Sequence, residues 1–209
     1  MAENQVPSSI KDEVLVIKRR NQMIKGAVTL FIEKGFHKTT TREIAKASGF
    51  SIGTLYEYIR KKEDVLFLVC DSIYQRVKER MEASIDPTQT SIKSLIHAIQ
   101  SYFQLMDDMQ DEVLVMYQEV KSLSRDAQEY VLQKERDMVA MLEQVILNSL
   151  PEHHSKEEVK LIANNIFVQG QMWGFRRWIL QRSFTLESYT EGQIQLLLQG
   201  LNTQEKERS

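Results

Sequence analysis

Residues 39–66 read TTTREIAKASGFSIGTLYEYIRKKEDVL, and the punctuation inside this stretch decides the architecture. Thr40 and Glu43 have the Thr-x-x-Glu spacing of a capping box. There the hydroxyl accepts an orphan backbone N–H and the carboxylate reaches back to the capping residue. The box opens a short helix with Ile44 and Ala45 facing inward, and Gly49 stops it. Ser51 then caps a second short helix, about Ile52 to Tyr58, with Phe50, Leu55 and Ile59 directed to the core. Glu63 and Asp64 suit the first turn of a longer helix from Lys62 to about Ser84, which Asp86-Pro87 breaks.

Upstream, Ile24, Ala27, Val28 and Phe31 follow the i, i+3, i+4, i+7 spacing of one buried face on a helix from about Val14 to Lys34, closed by Gly35. Residues 1–12 read as a loose polar tail. Two short helices joined by a glycine turn beneath a longer one make a helix-turn-helix, whose second helix lies in the DNA major groove. Thr40, Thr41 and Arg42 then sit at a helix N-terminus, where hydroxyls, free N–H groups and a guanidinium can hold a phosphate or reach a guanine edge. Ser51, Ile52, Gly53 and Thr54 lead the second helix into the groove, and Gly53 permits close backbone approach. Tyr56 and Tyr58 can offer phenolic O–H groups to phosphates, and Lys62 adds charge at the next helix start.

Charge distribution agrees. Residues 11–62 carry twelve Lys/Arg and five Asp/Glu, leaving fifteen and twenty-four elsewhere. The head is therefore net +7 and the rest net −9, against a total of −2. A basic head on an acidic body suits a polyanion-binding module.

The stretch 39–66 resembles the DNA-binding signature of the TetR family of bacterial regulators, in order and spacing over residues ~20–68. The remainder is similar to that family in length and helical character. The resemblance implies DNA-contact roles at the matching positions, and a dimer built as a four-helix bundle from the last two helices of each subunit. Two residues depart from the pattern. Ile52 stands at a position often polar, and Ile59 where Phe is usual.

Downstream, further helices are expected over about Thr90–Met109, Asp111–Ser122, Ser124–Leu150, Ser155–Arg182 and Leu186–Leu201, with Pro151 and His153-His154 in a loop. The fold class is all-α with nine helices. The domains are residues 14–60, a helix-turn-helix head, and residues 61–203, a ligand-binding and dimerisation body. Ile162, Ile166, Gly170 and Trp173 share a face of the eighth helix, and Ile194, Leu197, Leu198 and Leu201 one of the ninth. These stripes are the expected homodimer surface, about residues 156–182 and 186–201.

Phe103, Met106, Met116, Tyr117, Met138, Met141, Leu142, Phe167 and Trp173 are candidate walls for a small hydrophobic effector, with Arg177 beside them for an anionic headgroup. The Tyr117-Gln118-Glu119 run and the Trp-bearing eighth helix are loosely similar to acyl-CoA-responsive regulators of fatty-acid metabolism.

Composition bounds the alternatives. With 42% hydrophobic residues, 8 Gly and 3 Pro in 209, long helices are favoured over a turn-rich β fold. The single Cys70 excludes an intramolecular disulfide. His37, His97, His153 and His154 have no metal-ligand spacing, and no phosphate-binding glycine loop appears, so neither catalysis nor a cofactor or metal is expected. No apolar run reaches a membrane span and no signal-peptide core is visible, which fits a cytoplasmic protein. Two other readings stay open: a helical DNA-binding or interaction protein without a ligand, and an activator.

Overall fold

The computed structural model describes residues 6, 8–84, 91–150 and 155–207. Among these residues every regular element is helical: α1 (Glu13–Lys34), α2 (Thr41–Ala47), α3 (Ile52–Tyr56), α4 (Lys62–Ser84), α5 (Ile92–Asp108), α6 (Gln110–Glu119), a 3-10 turn (Val120–Ser122), α7 (Arg125–Ser149), α8 (Lys156–Phe175), α9 (Arg177–Ser183) and α10 (Leu186–Glu207). The all-α class and the helix order therefore match expectation. Asp86-Pro87, Thr90, Pro151 and His153-His154 lie outside the described residues.

The count differs by one because the expected eighth helix is two. Arg176 leaves the helical region, at φ −104° and ψ 26°, and separates α8 from α9. Gly174 sits against the Gln110 backbone so closely that a Cβ there would stand 3.0 Å from the Gln110 Cα. That close approach is a tertiary contact that local periodicity does not carry.

The chain forms two compact units that interleave along the sequence: residues 1–75 with 111–135, and residues 76–110 with 136–209. In the first, Met23, Ile24, Ala27, Val28 and Phe31 bury one face of α1, which packs against α2 with its buried Ile44 and Ala45, and α2 packs in turn against α3, where Leu55 is buried. Gly26 allows α1 and α2 to meet closely: a Cβ there would fall 3.0 Å from Ser48 Oγ. Gly49 has φ +74°, the left-handed region that makes the α2–α3 turn. Tyr130 on α7 packs on Phe67 of α4 and donates from its hydroxyl to Asp71 Oδ1 at 2.8 Å.

The N-terminal segment is not wholly a tail. Val6 is buried, Asp12 Oδ1 caps α1 through the Leu15 N–H, and the Ser9 N–H donates to the Glu57 carbonyl at 2.9 Å. Local polarity concealed this, because the partner of Ser9 lies 48 residues along the chain.

In the second unit α5 packs against α8 and α10. Tyr102 stacks on Phe167 with centroids 5.7 Å apart and donates to its carbonyl at 2.9 Å. Gly170 accommodates that ring, since a Cβ there would lie 2.5 Å from Tyr102 Cε1. Trp173 Nε1 donates to Asp107 Oδ1 at 2.6 Å, and Tyr189 lies beside both Trp173 and Phe103. Burying these rings with their polar atoms paired gives the unit a specific core. Among the described residues no helix is long and apolar enough to cross a membrane.

Candidate nucleic-acid interface

The capping box forms as the sequence requires. Thr40 Oγ1 accepts the Glu43 N–H at 3.3 Å, and Glu43 Oε2 accepts the Thr40 N–H at 2.9 Å. Lys34, at the end of α1, pairs with the other oxygen of Glu43. The lysine and the threonine together hold the Glu43 carboxyl down at about 2. The start of α2 is thereby fixed to the end of α1, leaving Thr40 and Arg42 exposed and Thr41 half-buried.

On α3, Ser51 Oγ accepts the Thr54 N–H at 3.0 Å and lies 3.0 Å from Thr54 Oγ1. The helix therefore begins firmly, with Ser51, Ile52 and Gly53 at the surface. A Cβ built on Gly53 would meet only Ser51 Oγ, at 3.7 Å. Nothing within the fold demands glycine there, although glycine weakens a helix by about 1 kcal/mol relative to alanine. Tyr56 is 50% exposed, and its hydroxyl lies 3.1 Å from Thr41 Oγ1.

Two expected contacts are placed otherwise. Tyr58 is 3% exposed, so the groove-facing position expected beside Tyr56 is not adopted and its ring fills the head core. The reason is geometric: residues two apart do not share a helix face, so with Tyr56 turned outward Tyr58, just past the end of α3, turns inward. Lys62 is half-buried and turned inward. Its Nζ donates to the carbonyls of Phe36 (2.7 Å), Thr39 (2.9 Å) and His37 (3.3 Å), and lies 4.3 Å from the Phe36 ring centroid. It acts as a strut under the loop that leads into α2.

Sequence reasoning missed the residues that hold this loop from the other side. The Phe36 N–H donates to Glu119 Oε1 at 3.4 Å, and Ser122 Oγ lies 3.4 Å from His37 Nε2. Both partners come from the end of α6 and the following turn, which no local pattern ties to residues 36 and 37.

The model of the bacterial regulatory proteins, tetR family, matches residues 23–69, from the middle of α1 through α3 into α4. Residues 23–69 thus carry the DNA-binding helices of the tetR family, and the chain aligns with transcriptional regulators over most of its length. It is 27% identical to the HTH-type transcriptional regulator HbdR of Aromatoleum sp. (strain CIB) over 195 residues, 93% of this chain and 85% of that one. Its fold is similar to a solved tetR-family regulatory protein from Rhodococcus RHA1, with TM-score 0.74, 20% identity, and 87% and 96% of the two chains covered. It is also similar to AibR, solved in complex with isovaleryl coenzyme A and operator DNA, with TM-score 0.68, 18% identity, and 85% and 97% covered.

The residues expected to wall an effector site divide between the two units. Met116 and Tyr117 belong to the first; Phe103, Met106, Met138, Met141, Leu142, Phe167, Trp173 and Arg177 to the second. Within the second, Phe103, Met106, Met138, Leu142, Phe167 and Trp173 are buried and Met141 half-buried. Arg177 lies over the Trp178 ring, 4.9 Å from its centroid. Burial, and then the Glu135 charge, push the Tyr117 hydroxyl up to about 12. A cavity of about 330 Å³ does occur in the second unit, but between α8 and α10 beside Ile99. Its walls are Leu161, Ile162, Ile166, Ile194 and Leu197 with Glu158, Asn165, Gln169 and Gln193, and none of the expected wall residues is among them.

Of the expected dimer stripes, Ile162 on α8 and Leu197, Leu198 and Leu201 on α10 are half-buried, and Ile194 is buried. Ile166, Gly170 and Trp173 are buried against the chain's own unit. The exposed apolar line is the neighbouring one: Leu161, Val168 and Phe175, seven residues apart, followed by Trp178 and Ile179 on α9 and by Leu196 on α10. Cys70 is buried, and burial, then Glu135 and Asp71, raise its thiol to about 12, so no thiolate is available there near neutral pH. Among the described residues no group of His, Cys, Asp and Glu is placed to hold a metal ion.

Proposed function

We propose that this regulator is a ligand-responsive repressor that binds a palindromic operator as a dimer. Residues 14–60 are the DNA-binding domain and residues 61–203 the sensing and dimerising one. The observation that carries the reading is the free N-terminal face of α3. Ser51, Ile52 and Gly53 are exposed on a helix pinned by a cap at its start and by the Tyr56–Thr41 contact at its end. Ile52 suits a thymine methyl group and Thr54 a base or phosphate, while Thr40, Thr41, Arg42 and Tyr56 set the register on the backbone.

One such head contacts too few base pairs for specificity, and twofold pairing supplies half-sites about one helical turn apart. The exposed line Leu161–Val168–Phe175 with Trp178, Ile179 and Leu196 is the self-complementary surface that supports the pairing, through the helices of residues 156–182 and 186–201.

The effector is a hydrophobic or acyl-type small molecule, in keeping with the isovaleryl coenzyme A bound by AibR. It acts by binding the DNA-free conformation more tightly than the DNA-bound one. The protein works in the cytoplasm and performs no catalysis.

The test is selection of duplexes from a randomised pool at about 100 mM salt, where non-specific phosphate binding is weak. Enrichment of a palindrome, with acyl-CoAs reversing the binding, supports the reading. No enriched sequence contradicts it, and enrichment indifferent to every acyl-CoA and fatty acid leaves a regulator without that effector.

A further inference from the structure

The C-terminal end of α3 has an unusual partner. This helix has five residues, too few to be stable alone, and its last carbonyls have no acceptor role within the helix. The carbonyl of Glu57, the residue that caps it, receives three donors from the chain ahead of α1. The Ser9 N–H is at 2.9 Å, the Ser9 hydroxyl at 3.1 Å and the Ser8 hydroxyl at 3.1 Å. The segment itself is anchored. Arg20 of α1 donates to the Val6 carbonyl, Val6 is buried, and Asp12 caps α1. The end of α3 is thus tied, through residues 8 and 9, to the long helix beneath it.

We infer that Val6 and residues 8–10 form a brace that sets the angle at which α3 meets DNA, making Ser8 and Ser9 positioning residues for operator recognition. The inference rests on the DNA-binding reading of α3. Base contacts depend on side chains being held within about 0.5 Å. The α3 N-terminus is fixed by Ser51 and the side chain of its last residue, Tyr56, meets Thr41, while the brace holds the backbone that follows, at the Glu57 carbonyl. A carbonyl oxygen has two lone pairs, so three donors over-supply it. Loss of one hydroxyl therefore changes little, and loss of all three donors releases the helix end.

The experiment uses the full-length dimer and a duplex selected by the wild-type protein from a randomised pool. Ser8→Ala alone changes affinity less than about twofold, whereas Ser8→Ala with Ser9→Pro removes every donor and lowers specific affinity about tenfold, the effect of one to two net hydrogen bonds. Affinity for an unselected duplex and its salt dependence stay unchanged, and amide exchange at Tyr58 and Ile59 accelerates. Ser8→Thr with Ser9→Thr keeps the hydroxyls and keeps wild-type affinity. Ser8→Ala with Ser9→Ala, which leaves the backbone intact, serves if the proline variant does not fold, and lowers specific affinity by a smaller factor.

Unchanged specific affinity in the multiple variants overturns the brace. A parallel loss on selected and unselected duplexes with a shallower salt slope also overturns it, because the segment then touches phosphate itself. If the wild-type protein selects no duplex, the DNA-binding reading fails instead. The exchange rates at Tyr58 and Ile59 then decide the brace alone: unaltered rates refute it and faster rates keep it as a brace of α3.

Discussion

Tyr56 on α3 and Thr41 at the first turn of α2 meet hydroxyl to hydroxyl, 3.1 Å apart, across the helix-turn-helix. The contact is solvent-exposed, so water replaces the lost partner when one is removed, and it adds little to stability. Its value is placement of a phenolic O–H beside the α2 N-terminus. Tyr56→Phe is expected to change unfolding free energy by less than about 0.5 kcal/mol. It weakens binding to a selected duplex about five- to tenfold, as loss of one phosphate hydrogen bond does. Paired denaturation and anisotropy titrations check both numbers; a stability loss without an affinity loss opposes the assignment.

The Glu43 carboxyl, at about 2 in the folded head against 4.5 ordinarily, gives stability its acid limb. A depressed folded value means that the contribution is complete above the unfolded value and is lost as pH falls from about 4.5 towards 2. The group is solvent-exposed, so the effect is modest. Glu43→Gln removes the pH-dependent part: its melting temperature falls less steeply across this window than that of the wild type. Parallel slopes in a melting series against pH contradict the role given to Glu43.

Much of the head was legible because its signals are local. Thr40 and Glu43, Gly49, Ser51 and the Ile24–Phe31 spacing each act within one or two helical turns, and each produces the predicted element. Lys62 and the N-terminal segment were misjudged because their partners are distant in sequence, and Tyr58 because it stands two residues from Tyr56 and so on another face. Lys62 finds carbonyls more than twenty residues back, and Ser9 finds one forty-eight residues ahead. In the body, periodicity identified apolar faces on α8 and α10 but could not tell a face turned to its own core from one turned outward. Ile166 and Trp173 are of the first kind, Leu161 and Val168 of the second.

Lys62 distinguishes a strut from a phosphate ligand. Lys62→Met leaves three carbonyls without their common donor and is expected to cost about 1–3 kcal/mol of stability. Because the ammonium faces inward, the salt dependence of non-specific DNA binding stays unchanged. A salt slope reduced by about 1, with stability intact, identifies a direct phosphate contact instead.

The exposed line on α8 predicts its own effect. Leu161→Glu with Val168→Glu places charges on that surface and not in the core, since both residues are exposed in the single chain. Helicity is retained, the dimer dissociates in sedimentation equilibrium, and palindrome binding falls to that of a single head. A dimer of wild-type affinity places the interface elsewhere.

The central claim is that α3 reads base sequence, and Ile52 tests it most directly. Its side chain is exposed at the first position of α3, so substitution leaves the core untouched. Arginine there offers two donors to the O6 and N7 of guanine. Selection from a randomised pool with Ile52→Arg is predicted to enrich a palindrome changed at one symmetry-related pair of positions, with guanine favoured there. Recovery of the wild-type sequence, at undiminished affinity, contradicts the account.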